Sequence, residues 1–195
     1  MKKWIVPVVI LAVLAIWGVG VNNTAVDLEE TTKNAWGDVE SSYQRRNDLI
    51  GNLVKTVQGS ADFERTTLRE VIEARAKATS TTIDASNLTP ENMAAFQEAQ
   101  SGLSGALSKL LVSVERYPDL KANQNFLELQ SQLEGTENRI NVARDRYNKA
   151  VQLYNKYVRK LPTKLVASLM GFDEMAYFES DAGAENAPDV DFDFN

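Results

Sequence analysis

The run Asp119–Lys160, DLKANQNFLELQSQLEGTENRINVARDRYNKAVQLYNKYVRK, decides the fold of this chain. Phe126, Leu129, Leu133, Thr136, Ile140, Ala143, Tyr147, Ala150, Tyr154 and Tyr157 recur at steps of three and four without a slip, and after Pro118 only Gly135 interrupts the helix formers. That is a heptad seam. A continuous helix of this length spans about 60 Å at the standard rise, too long for the inside of a compact globule. The spacing therefore predicts one rod of an elongated bundle, with partner helices lying alongside.

Those partners are found upstream. Thr89-Pro90-Glu91 offers an N-cap, a proline for the first helical position and an acid for the first turn. Met93, Phe96, Gln100, Leu103, Leu107, Leu110 and Val114 then form a second seam, which ends at Tyr117-Pro118. Gly102 and Gly105 inside it each cost about 1 kcal/mol, which predicts a surface where another backbone comes close. Thr79 to Leu88 is rich in Thr, Ser, Asp and Asn and reads as a polar loop. Ahead of it, Ala61 to Ala78 carries Phe63, Leu68, Val71, Ile72 and Ala74 on a shorter helix, set off by Gly59-Ser60, read here as a turn and not a kink. From Thr24 to Gln58 the pattern is again helical, through Leu28, Ala35, Val39, Ile50, Leu53 and Val57, with Trp36 and Tyr43 widening the stripe. After the long helix, Pro162 precedes a short amphipathic turn, Thr163 to Met170, closed by Gly171.

Nothing separates the first bundle helix from the segment before it. Trp4 to Val21 is eighteen residues without a charge, covering about 27 Å, close to the hydrocarbon thickness of a bilayer. Lys2-Lys3 precede it, and Asp27, Glu29 and Glu30 follow. This pattern predicts an uncleaved membrane anchor, N-terminus inside and bundle outside, in preference to a cleaved signal peptide. Residues 4–21 are thus expected to meet the bilayer. The expected fold is all-α: an N-terminal transmembrane helix (1–21), an elongated four-helix bundle (22–172) and an acidic, disordered tail (173–195).

Composition narrows function by exclusion. The chain has neither Cys nor His, which removes disulfide frameworks, thiolate nucleophiles, Cys-ligated metals, His-based triads and HExxH sites. The net charge is −6. The bundle carries 19 basic and 19 acidic side chains, while 173–195 holds eight acids and no base. A neutral body with an acidic tail has no electrostatic footprint for nucleic acid. No cofactor is expected.

Three stretches together resemble the LemA family of bacterial envelope proteins. They are Tyr43-Gln-Arg-Arg-Asn-Asp-Leu-Ile-Gly-Asn-Leu-Val with Val57-Gln-Gly; Tyr117-Pro-Asp-Leu-Lys-Ala-Asn with Phe126 and Leu129-Gln; and Thr136-Glu-Asn-Arg-Ile-Asn-Val-Ala-Arg with Tyr147-Asn and Tyr154-Asn. The resemblance runs from about Trp36 to the Asp189-Val-Asp-Phe tail and departs where the family tends to have Pro in place of Gly51. It implies an antiparallel four-helix bundle on one membrane anchor, with no catalytic residues to carry over. Relatives in magnetosome-forming bacteria are linked to membrane shaping.

The polar groups that stand out are Arg45, Arg46 and Asp48 on the first helix and Glu137, Arg139, Arg144, Asn148 and Asn155 on the last. The two asparagines lie seven apart, each following a seam tyrosine. The plain expectation is an interhelical hydrogen-bond and ion-pair network that sets register. A ligand or partner groove is the sharper alternative, and a carboxylate active site is disfavoured because no second acid is held at a defined spacing. In the tail, Val190, Phe192 and Phe194 alternate with acids and form a candidate docking strand. The expected role is a non-catalytic scaffold or adaptor for envelope or membrane proteins. The alternative is a self-assembling, membrane-remodelling or coat-like bundle.

Overall fold

The computed structural model describes residues 5–59 and 63–179. Six helices follow one another: α1 (Ile5–Gln58), α2 (Arg65–Ser80), α3 (Pro90–Val114), α4 (Pro118–Lys121), α5 (Gln124–Arg159) and α6 (Thr163–Leu169). Among the described residues there is no strand. The fold is all-α.

α1 is 54 residues long, about 81 Å at 1.5 Å per residue, and runs unbroken from the apolar segment into the bundle. Its first residues are covered by nothing: Ile5, Val9, Leu11 and Leu14 are all more than half exposed. Val21 is the first buried side chain, followed by Ala25 at the next turn. It is the one helix among the described residues long and apolar enough to cross a membrane.

The four long helices alternate in direction. Trp36 and Arg46 of α1 meet Tyr147 and Glu137 of α5, so numbers rise in one helix as they fall in the other. Lys77 and Glu70 of α2 likewise pair with Glu98 and Lys109 of α3, at 2.9 and 3.2 Å. These surface pairs are each worth at most about 1 kcal/mol; the apolar faces between the helices supply the stability. One cluster, with Leu53, Val57, Leu68, Val71, Leu110 and Phe126, fills the end remote from the apolar segment. A second surrounds Trp36, which meets Phe96 and Tyr147 edge-on at 5.4 and 5.5 Å. A third, smaller one gathers Tyr154, Val158 and Ala167 beside Leu28 and Tyr157.

Four expectations are corrected by the local chemistry. The helix expected over 119–160 is interrupted at Asn123, whose side-chain oxygen accepts from the backbone N–H of Asn125 (3.0 Å) and Phe126 (3.2 Å). An asparagine that satisfies free amides in this way starts a helix, so the rod is α5 alone, with α4 a separate turn. Gly102 and Gly105 are exposed, and a Cβ at either would meet nothing within 4 Å; no backbone approaches them. The close approach is at Gly51 instead, where a Cβ would lie 3.0 Å from the Arg75 guanidinium as Arg75 crosses α1 to the carbonyl of Asn47 (2.7 Å). The polar loop before α3 is also part of the core, since Ile83 and Leu88 are buried in the Trp36 cluster.

The fourth correction concerns the chain after α6. Gly171, at φ +80°, takes the left-handed position that ends α6; its N–H points to the Ser168 carbonyl and that of Phe172 to the Ala167 carbonyl. The reversal sends the chain back along α5. Asp173–Glu179, expected to leave the bundle with the acidic tail, stays on it: Ala176 and Phe178 are buried, and Phe178 stacks on Trp36 with centroids 5.8 Å apart.

Candidate functional site

Arg46 sits at the centre of the bundle with only 4% of its surface exposed. Nη2 donates to Gln100 Oε1 at 2.7 Å and Nη1 to Ser104 Oγ and Glu137 Oε2, both at 3.2 Å. Its guanidinium also lies 4.9 Å from the Tyr43 ring centroid. Gln100 Nε2 in turn donates to the Ala78 carbonyl at 3.4 Å. One buried cation thereby ties α1 to α3 and α5 and, through Gln100, to α2. Arg46 Nε is buried without a hydrogen-bond partner among the described residues. Glu137 is half exposed, and the shortest contact to the charge comes from the neutral Gln100 oxygen.

The expected network divides into three groups. Arg46 and Glu137 meet in the clamp just described. Arg45, Asp48 and Arg139 do not join it: they are exposed and line a shallow groove of ≈ 420 Å³ between α1 and α5, with Ser41, Gln44 and Thr136. Among the described residues, Arg144, Asn148 and Asn155 make no interhelical bond of the kind expected. They hold the backbone of 173–179.

That grip is specific. Asn155 Nδ2 donates to the Met175 carbonyl (2.8 Å) while the Met175 N–H donates to Asn155 Oδ1 (2.9 Å). Asn148 repeats the exchange with Phe178, at 3.1 and 2.9 Å. A side-chain amide presents one donor and one acceptor side by side, like a backbone peptide group, so α5 offers the segment two rungs of a ladder. Between them Tyr147 Oη donates to the Ala176 carbonyl (2.8 Å), and beyond the second rung Arg144 Nη2 donates to the Glu179 carbonyl (2.8 Å) with its guanidinium 5.0 Å from the Phe178 ring centroid. The segment is a strap, and Phe178 is its plug. Burial raises the Tyr147 phenol above its ordinary pKa. Tyr154 is pushed up to about 12, by burial first and then by the carboxylates of Glu29 and Asp173.

The candidate docking residues Val190, Phe192 and Phe194 lie outside the described residues. Gln100, Ser104, Arg75 and the strap itself were not among the sequence candidates. Gln100 carried a signal, a polar residue on an otherwise apolar seam. On the α2 side of the clamp a cleft of ≈ 310 Å³ is lined by Trp36, Tyr43, Asn47, Arg75 and Phe96. Trp36 Nε1 and Asn47 Oδ1 are themselves buried, without a hydrogen-bond partner among the described residues. The acids near the clamp and the cleft, Glu40, Asp48 and Glu137, are all exposed, an arrangement suited to solvation more than to sharing a proton.

The strap and the residues of the Arg46 clamp fall within a stretch that this chain shares with a known family. Two relatives are the magnetosome proteins MamQ 1 and MamQ 2 of Paramagnetospirillum magneticum, each 27% identical in an alignment 178 residues long that covers 80% of this chain. The chain spans 64% of the length of those two relatives. A further one is the protein LemA of Metamycoplasma hominis, 24% identical over 162 residues, covering 83% of this chain and 70% of the relative. The LemA family model matches residues 35–192. That match takes in α2, α3 and α5 whole and α1 from residue 35 onward, and the chain therefore belongs to the LemA family.

Proposed function

We propose that this protein is a membrane-anchored, non-catalytic helical scaffold or adaptor of the bacterial cell envelope. It is held in the cytoplasmic membrane by a single span, N-terminus inside, with the bundle on the periplasmic or extracellular face. The observation that carries this reading is the continuity of α1, in which one helix passes from an uncovered apolar end to a fully buried face. Such a helix couples an anchor rigidly to a rod, which suits a protein that presents a surface at a set height above the bilayer. The orientation follows from the lysines before the span and the acids after it.

The second reading, a self-assembling coat-like bundle, is favoured by the likeness to proteins named for the magnetosome. Crosslinking in living cells followed by mass spectrometry separates the two. Crosslinks to other membrane or envelope proteins support the adaptor, and a ladder of self-crosslinks supports the coat. Crosslinks to neither sink both readings.

A further inference from the structure

α6 and the residues that lead into it carry a surface the fold leaves uncovered. Leu161, Leu165 and Leu169 are 74, 70 and 88% exposed, at intervals of four residues, and Met170 follows them. α6 turns one side chain, Ala167, fully inward against Tyr154 and Val158. The chain thus places three leucines in solvent within nine residues, where a seven-residue connector needs none. Scattered exposed leucines are ordinary, but a cluster of this kind marks a contact surface.

Its place in the fold says what the contact is. Tyr157 Oη donates to the Val21 carbonyl at 3.4 Å, so the end of α5 stands level with the last residue of the apolar run. Leu161 begins beyond that point, toward the apolar end of α1. Lys160 and Lys164 flank the leucines and make no ion pair among the described residues. Apolar side chains beside lysines, near the end of a membrane span, match the boundary between acyl chains and phosphate headgroups.

We infer that Leu161, Leu165, Leu169 and Met170 insert into the bilayer surface next to the span, with Lys160 and Lys164 against lipid phosphates, forming a second membrane contact that fixes the tilt of the rod. This rests on the reading of α1 as a membrane anchor. With one attachment the anchor and the rod are free to tilt together in the bilayer; with two they stand at a defined angle.

The absence of native cysteine makes the test direct. Leu165→Cys, Leu169→Cys, Leu11→Cys and Val112→Cys, all at exposed positions, are each labelled with an environment-sensitive fluorophore. The full chain is then reconstituted into phosphatidylcholine–phosphatidylglycerol vesicles, with or without nitroxide-labelled lipids. The expected result is a blue shift and nitroxide quenching at 165 and 169 approaching that at 11, with neither at 112, which lies at the remote end. Quenching at 11 but not at 165 and 169 overturns this inference and leaves the anchor standing. A blue shift at 165 and 169 without quenching overturns it in favour of a protein partner or second copy, and no quenching at 11 overturns the anchor and this inference together.

Discussion

Asn148 and Phe178 exchange a reciprocal pair of hydrogen bonds, side-chain amide to backbone, at 3.1 and 2.9 Å, and this places the Phe178 ring against Trp36. The same residue pair therefore joins a polar ladder on the surface of α5 to the aromatic centre of the core. Truncating Asn148 to Ala leaves a backbone N–H and carbonyl without those partners, at a cost of about 1–3 kcal/mol. Phe178→Ala removes the plug and costs about 3–5 kcal/mol. Because both act through the seating of one strap, the double variant is expected to lose less than the two singles added together; urea unfolding of the chain in mild detergent measures this.

Truncation locates the end of the folded unit. A chain ending at Glu179 is expected to melt like the full chain, and one ending at Phe172 to melt lower, since the latter opens the Trp36 cluster. Equal melting of the two truncations would remove the strap from the fold.

At the Arg46 clamp the partners are unequal. Arg46→Met keeps the apolar stem but leaves Gln100 Oε1 buried without its donor, at a cost of about 1–3 kcal/mol. Glu137→Gln is expected to cost under about 1 kcal/mol, because that carboxylate is half exposed. The two unfolding free energies check the ordering directly.

Gly102 and Gly105 sit in helical backbone with open space where a Cβ would be. Gly102→Ala and Gly105→Ala should each stabilise the chain by about 0.5–1 kcal/mol, through the lower entropy of the unfolded state. A rise in melting temperature, roughly additive in the double variant, is the expected readout.

Stability should also fall in alkali. A phenol whose pKa is higher folded than unfolded contributes stability that is fully present below its unfolded value of about 10 and is lost as pH rises through the folded value. For Tyr154 that folded value is about 12, and Tyr147 is shifted in the same direction. Melting temperature is therefore expected to be flat around neutrality and to drop above about pH 10, with a shallower drop in Tyr154→Phe.

Much of this molecule follows from local pattern. The seams from Phe126 to Tyr157 and from Met93 to Val114 determined two of the rods, and the uncharged run to Val21 determined which end of α1 is left bare. Periodicity reports the face a residue occupies, because side chains repeat every 3.6 residues whatever lies opposite. It is silent on the neighbour. Asn148 and Asn155 were legible as polar groups at the edge of a seam, yet two asparagines seven apart serve an adjacent helix or an extended strap equally well. Which it is depends on Gly171 turning the chain back toward α5. Likewise Arg46 was visible as a charge beside apolar positions, whereas its principal partner, Gln100, lies on another helix and is brought there only when four rods pack. Long-range pairing of this kind is set by the summed burial of all the faces, and no single stretch of the chain contains it.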